Sequence, residues 1–294
     1  MFMFGKGKKD NGSQATMDAS TQGMDQKKAK EMAEQQELQN TLGKIKHKFV
    51  VLSGKGGVGK STVAVNLAVT LSDKGYRVGL LDVDIHGPSI PKMLDLDGTR
   101  LTAENEKLNP VIYKDNLKVI SIGFMLEKGE DPVIWRGPLK YSVIKQFLKD
   151  VNWGELDYLV IDSPPGTGDE PLSVCQLIPE PDGAIVVTTP QEVAIIDVQK
   201  SISFCNKVNM PVLGVVENMS GFNCPHCNEH VDIFRTGGGA RMSEQMNVPF
   251  LGSIPITLKI AENADMGKPF VSSENSENDA AIKAFESIIE KLIK

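Results

Sequence analysis

Several things are scarce in this 294-residue chain, and each shortage excludes a class of protein. No apolar run approaches the roughly 20 residues that span a bilayer, so a membrane-embedded protein is not expected. The opening "MFMFGKGKKD" places its few apolar residues before its lysines. A secretory leader has the reverse order and a longer apolar stretch, so none is expected. Positive charge is not in surplus: the formal net charge is -6, which argues against a nucleic-acid partner. The expected location is cytoplasmic. There are only four cysteines, and in a reducing compartment these are free, metal-binding or catalytic rather than disulfide-bonded.

Residues 1–46 are short of β-branched and aromatic residues and contain no cysteine. They hold eight lysines against six acidic residues, or +2, which leaves -8 for the rest of the chain. Such a segment buries too little apolar surface to offset its ordering entropy, so the reading is a flexible polar tail. Part of it, "QKKAKEMAEQQELQNTL", is rich in helix formers and fits a solvated helix.

From His47 onward the pattern is that of one domain, residues 47–294, without an internal repeat. "KFVVLS", "YRVGLLDVD", "YLVIDSPPG", "GAIVVTTP", "PVLGVVENMS" and "PFLGSIPI" are apolar runs without alternation. They are separated by helical patterns such as 61–75, 138–150 and 191–208. Unalternating runs interleaved with helices indicate buried parallel strands, hence a doubly wound, mostly parallel α/β sheet flanked by helices. In such sheets ligands bind beyond the carboxyl ends of the strands.

The segment Gly54-Lys55-Gly56-Gly57-Val58-Gly59-Lys60-Ser61 matches G-x-x-x-x-G-K-[ST], between an apolar strand and a helix. Its glycines let backbone N–H groups face phosphates, and the helix N-terminus adds its dipole. Lys60 is placed to reach the β- and γ-phosphates, Ser61 to ligate Mg²⁺ and Thr62 to meet the α-phosphate. Mg²⁺ favours hard carboxylates. Asp162 follows an apolar strand at the Walker B position, and Asp82 and Asp84 close another. Residues two apart in an extended chain face the same side, so both are expected to face the nucleotide. Asp82 is read as supporting the metal and Asp84 as orienting the attacking water. Asp169, after "PPGTG", fits a switch-loop residue or a helix N-cap equally well, and His86 reads as a turn residue.

Lys55 has no evident task within one subunit, because Lys60 already serves the phosphates. Here the loop "KGGVGKST" resembles the deviant Walker A loop of the MinD/ParA/nitrogenase-iron-protein class of P-loop ATPases. That resemblance implies a homodimer in which Lys55 reaches the partner's nucleotide and supplies charge in trans. "DVDIHGPSIPKML", "WRGP", "DSPPGTGD", "ENMSGFNCPHC", "FRTGGGAR" and "SIPI" are together similar to the Mrp/ApbC branch, the iron–sulfur cluster carrier ATPases. The similarity extends over roughly residues 47–294. No N-K-x-D guanine signature occurs, and the resemblance favours adenine, with Asn218 on its edge and Pro255 and Ile256 on its face.

Cys224-Pro225-His226-Cys227 is a C-x-x-C pair in a polar loop. Without a helical pattern after it, thioredoxin-like chemistry is disfavoured, while zinc and an iron–sulfur cluster suit it equally on chemistry alone. A zinc ion could be held by a dimeric four-cysteine site or by Cys224, Cys227 and His230. A [4Fe–4S] cluster takes four thiolates, so the pair would need its counterpart from a second chain. The family resemblance implies that bridged cluster, delivered to apo iron–sulfur proteins. Cys175 and Cys205, among apolar neighbours, read as small core residues. The terminal "AAIKAFESIIEKLIK" sets Ile282, Phe285, Ile288, Ile289 and Leu292 on one helical face; its mixed polar face favours packing on the sheet over a membrane. The competing functions are a MinD- or ParA-like spatial-organisation ATPase and a zinc-binding regulatory ATPase.

Overall fold

The computed structural model describes residues 12–85, 87–125, 137–224, 226–227, 229–272 and 279–293. His86, Trp135, Arg136 and Pro225 lie outside the described residues. A strand whose residues are apolar on both faces must be covered on both, and β1 (Ile45–Ser53) shows how this is done. Phe49 and Val51 enter one core cluster, while Val50 and Leu52 enter another on the opposite face. The first cluster is roofed by α2 (Lys60–Asp73) and the second by other helices described below.

In chain order β2 (Val78–Asp82) is followed by the short α3 (Ile90–Met93) and a small antiparallel hairpin, β3 (Thr102–Glu104) and β4 (Lys107–Asn109). Then come β5 (Val111–Lys114), β6 (Leu117–Ser121), α4 (Gly137–Lys149), β7 (Leu156–Asp162) and α5 (Asp169–Leu177). The chain continues through β8 (Gly183–Thr188), α6 (Glu192–Lys207), β9 (Val212–Asn223), β10 (His230–Val231) and α7 (Gly238–Gln245). It closes with β11 (Phe250–Ile256), α8 (Leu258–Asp265) and α9 (Ala280–Leu292). The main sheet runs β10-β9-β8-β1-β7-β2-β6-β5, with β11 also paired to β9. All its pairings are parallel except β5–β6 and β9–β10. The doubly wound, mostly parallel architecture expected from the apolar runs is the one observed.

The flexible-tail reading of residues 1–46 requires correction at its C-terminal end. Residues Gly12–Leu42 form a helix, α1, and β1 begins at Ile45, before the expected boundary at His47. Leu38 and Leu42 are buried with Phe147, Leu148 and Trp153. Glu34 pairs with Lys145 at 2.7 Å, and Glu37 with Lys107 at 2.7 Å and Lys149 at 3.2 Å. Two leucines four apart lie on one helical face, and average composition conceals so short an anchor.

The apolar face of α9 is accounted for within the chain. Ile282, Phe285, Ile288, Ile289 and Leu292 are all buried, in a cluster that includes Leu251 and Ile254 of β11 and Val65 of α2. Among the described residues no helix is long and apolar enough to cross a membrane.

Candidate functional site

β1 ends at Ser53 and α2 starts at Lys60, so the glycine-rich loop bridges a strand to a helix N-terminus. Gly59 has φ 82°, in the left-handed region, and a Cβ there would stand 2.1 Å from Asn218 Nδ2. Only glycine meets both demands. The Asn218 amide donates to the Val58 carbonyl at 2.9 Å, so β9 grips the loop directly. Gly56 and Gly57 are exposed, Val58 is buried, and Gly54 and Thr62 are half-buried.

Parallel registry brings the acidic residues together. Asp162 at the end of β7 is level with Val51 of β1 and with Asp82 at the end of β2. Lys60 Nζ lies 2.7 Å from Asp162 Oδ1 and 3.4 Å from Asp84 Oδ2, and Ser61 Oγ donates to Asp162 Oδ2 at 2.6 Å. Burial opposes the Lys60 ammonium, but Asp162 and Asp84 outweigh it, and its pKa lies above the ordinary lysine value.

Asp82 closes β2 level with Asp162. It is fully buried; Ser121 Oγ donates to its Oδ2 at 2.8 Å and the Asp84 N–H to its Oδ1 at 3.1 Å. Burial first, and Asp162 second, push its pKa up to about 8. Asp82 thereby fixes the backbone of Asp84 just beyond the end of β2. Ser121, held in turn by the Gly123 N–H at 3.0 Å, completes this support; no sequence motif marked it.

Lys55 is half-buried; its carbonyl accepts from Ser53 Oγ at 2.9 Å, while its ammonium has no ion pair among the described residues. Pro255 follows Ile254, the residue level with Asn218 on the adjacent strand, so the two expected base contacts are neighbours. Asp169 is exposed and is the first residue of α5, where a carboxylate favours the helix dipole; Gly168 holds the N-cap position.

Beyond Asn218, β9 runs on as a hairpin with β10, His230 opposite Asn223 and Val231 opposite Phe222. The Cys224 N–H donates to the Glu229 carbonyl at 3.0 Å. The Cys224 sulfur accepts from the backbone N–H groups of His226 and Cys227 and from the Cys227 thiol, and these bonds, His226 first, lower its pKa. Cys224 is half-buried and Cys227 exposed. His230 Nε2 lies 2.9 Å from Asp232, and no group of three or more histidine, cysteine or acidic residues suited to a metal occurs among the described residues. Burial pushes the Cys175 thiol up to about 12 and that of Cys205 up to about 11, as befits core residues.

A strand-to-helix phosphate loop, its lysine among strand-end carboxylates and a second lysine ahead of it define a P-loop NTPase of the MinD/ParA class, an enzyme that hydrolyses nucleoside triphosphates. The family is narrower. A family model described as the ParA-type "NUBPL iron-transfer P-loop NTPase" matches residues 44–293, and the chain belongs to that family. It is 52% identical over 255 residues to an iron–sulfur cluster carrier protein of Methanocaldococcus jannaschii, covering 87% of this chain and 88% of the relative. Among solved structures it resembles a nucleotide-binding protein of Archaeoglobus fulgidus in complex with ADP, at 38% identity and TM-score 0.73, covering 85% of this chain and 95% of that one. The cell-division ATPase MinD of Pyrococcus furiosus shares the fold, at 24% identity and TM-score 0.59, over 84% of this chain and 98% of MinD.

Proposed function

We propose that this protein is an ATP-hydrolysing carrier that holds one [4Fe–4S] cluster between two copies of the chain and passes it to apo iron–sulfur proteins. The observation that carries the reading is the Cys224–Cys227 turn. A sulfur that accepts two backbone N–H bonds is stabilised as thiolate, the form that binds iron. The turn offers two thiolates where such a cluster takes four, and a second copy supplies the others. The relatives' role as cluster carriers supports the same cargo.

On this reading the N–H groups of residues 54–59 cradle the phosphates, Lys60 meets the β- and γ-phosphates and Thr62 the α-phosphate. Ser61 and Asp162 form a hard-oxygen donor set suited to Mg²⁺, which would neutralise phosphate charge when bound. Asp84, held by Asp82, orients the attacking water. Adenine lies against Pro255, with Asn218 Oδ1 as the acceptor for its amino group. Lys55 acts across the dimer, on the partner's nucleotide.

Anaerobic reconstitution with iron and sulfide tests the cargo. The expected yield is about four iron and four acid-labile sulfide per dimer, as one [4Fe–4S] cluster requires. Equal iron and sulfide in a Cys224→Ser, Cys227→Ser variant would overturn the reading, as would bound zinc without sulfide in protein purified without air.

A further inference from the structure

Every described residue from His226 to Arg235 is exposed, including Val231, Ile233 and Phe234. The stretch that carries the cysteine pair therefore has no core of its own, and its placement is decided where it leaves and rejoins the sheet. One side chain spans that neck. Glu217 of β9 is fully buried, and no lysine or arginine pairs with it among the described residues. Its Oε1 accepts from Ser220 Oγ at 2.5 Å and from the Gly237 N–H at 2.9 Å, and its Oε2 accepts from the Gly239 N–H. A single carboxyl group thus joins residue 220, on the way out, to residues 237 and 239, on the way back.

The backbone is shaped for this contact. Met219 and Gly221 have φ of 58° and 74°, a kink at which β9 departs from regular pairing with β11. Gly237 has φ 75°, and a Cβ at Gly239 would come within 3.1 Å of Glu217. Two of the "TGGGAR" glycines, Gly237 and Gly239, are thereby explained as the landing site of one acid at the start of α7, while Gly238 is required by the close approach of the Pro190 carbonyl. Neighbouring residues in a strand point to opposite sides. Glu217 turns to the neck, while Asn218 turns to the phosphate loop and holds Val58.

We propose that Glu217 is a positioning residue that clamps the neck of the Cys224–Cys227 excursion and fixes it relative to the phosphate loop. The consequence for a metal cargo depends on the function proposed above; the clamp itself does not. Glu217→Gln keeps the shape but replaces one acceptor oxygen with a donor. In amide hydrogen exchange on the full chain, peptides covering 222–236 should exchange about tenfold faster, the effect of one lost hydrogen bond on a local opening. The KM for ATP should stay within about threefold, since Asn218 and the loop are untouched. Co²⁺ alone, followed by its thiolate absorption, should bind more weakly. Ser220→Ala, which removes one donor, should accelerate the same peptides by less, and it serves if Glu217→Gln fails to fold. Unchanged exchange in the excursion in both variants overturns the proposal. So does equal acceleration in α2 and β1, which would make Glu217 a general fold residue. Unaltered Co²⁺ binding despite faster exchange would overturn the consequence for cargo. Absence of a cluster in the wild type would count against the carrier function and leave the exchange result standing.

Discussion

Replacing Asp82 with asparagine should make the protein more stable, by an amount that grows with pH. An unfolded aspartate titrates near 3.9, whereas burial and the nearby Asp162 raise Asp82 to about 8. Stability linked to a raised pKa is fully present below the unfolded value and is lost as pH rises toward the folded one. Each pH unit in that window costs about 1.4 kcal/mol, which accumulates to a few kcal/mol at pH 7 and to less at pH 5. An asparagine amide carries no such penalty. Its oxygen can accept from the Asp84 N–H, and its NH₂ can meet Ser121 Oγ after the hydroxyl rotates. Urea unfolding of both proteins at pH 5, 6, 7 and 8, in buffer without Mg²⁺ or nucleotide, measures the difference. The gain should widen by up to about 1.4 kcal/mol per pH unit between pH 5 and pH 7, while the kcat for ATP stays within about tenfold, because support of the Asp84 backbone is retained. A gain independent of pH, or a loss that deepens with pH, would refute the assignment of Asp82 as a buried acid of raised pKa. Asp82→Ala, which removes the support as well, should lower kcat further than Asp82→Asn.

Lys55→Ala should leave the Kd for ATP within about threefold and lower turnover about 100-fold or more, as removal of a charge supplied to the transition state does; equal losses in equilibrium binding and single-turnover hydrolysis would count against action across a dimer. Leu42→Ala should destabilise the fold by about 2–4 kcal/mol in urea, the usual cost of emptying a fully buried leucine site. Hydrogen bonds from lysines hold the pKa values of Glu34 and Glu37 below the ordinary glutamate value. Their contribution to α1 docking is present above that value and lost as pH falls below about 4, so amide exchange in α1 should accelerate between pH 5 and pH 3 relative to α4 and stay level from pH 6 to pH 8.

Most of the sheet could be read from the chain because fully buried strands need apolar residues on both faces. β1, β2, β7, β8, β9 and β11 all carry that mark. β6 escaped because Lys118 interrupts it, although the lysine reaches back to the Trp153 carbonyl at 2.7 Å and spoils nothing. The phosphate loop was legible as a local motif, and Asp162 as a residue ending a strand. Asp82 looked like Asp84, since both are acids at a strand end. Only the three-dimensional surroundings reveal that one is enclosed by Ser121 and a backbone N–H while the other reaches Lys60. Glu217 gave no signal at all: an acid in "VVENMS" reads as the end of a strand, and its partners at Gly237 and Gly239 lie some twenty residues further on.

Pro255 has a consequence apart from any nucleotide. It sits in β11, which among the described residues pairs with β9 alone, so its missing N–H falls on a strand at the rim of the sheet. β10, also at that rim, has only two residues, and the opposite rim is β5, four residues long with Lys114 at its end. Neither rim offers a long, complete row of donors and acceptors to a passing strand. Sheet extension between copies, the route that leads to open-ended aggregates, is thus discouraged.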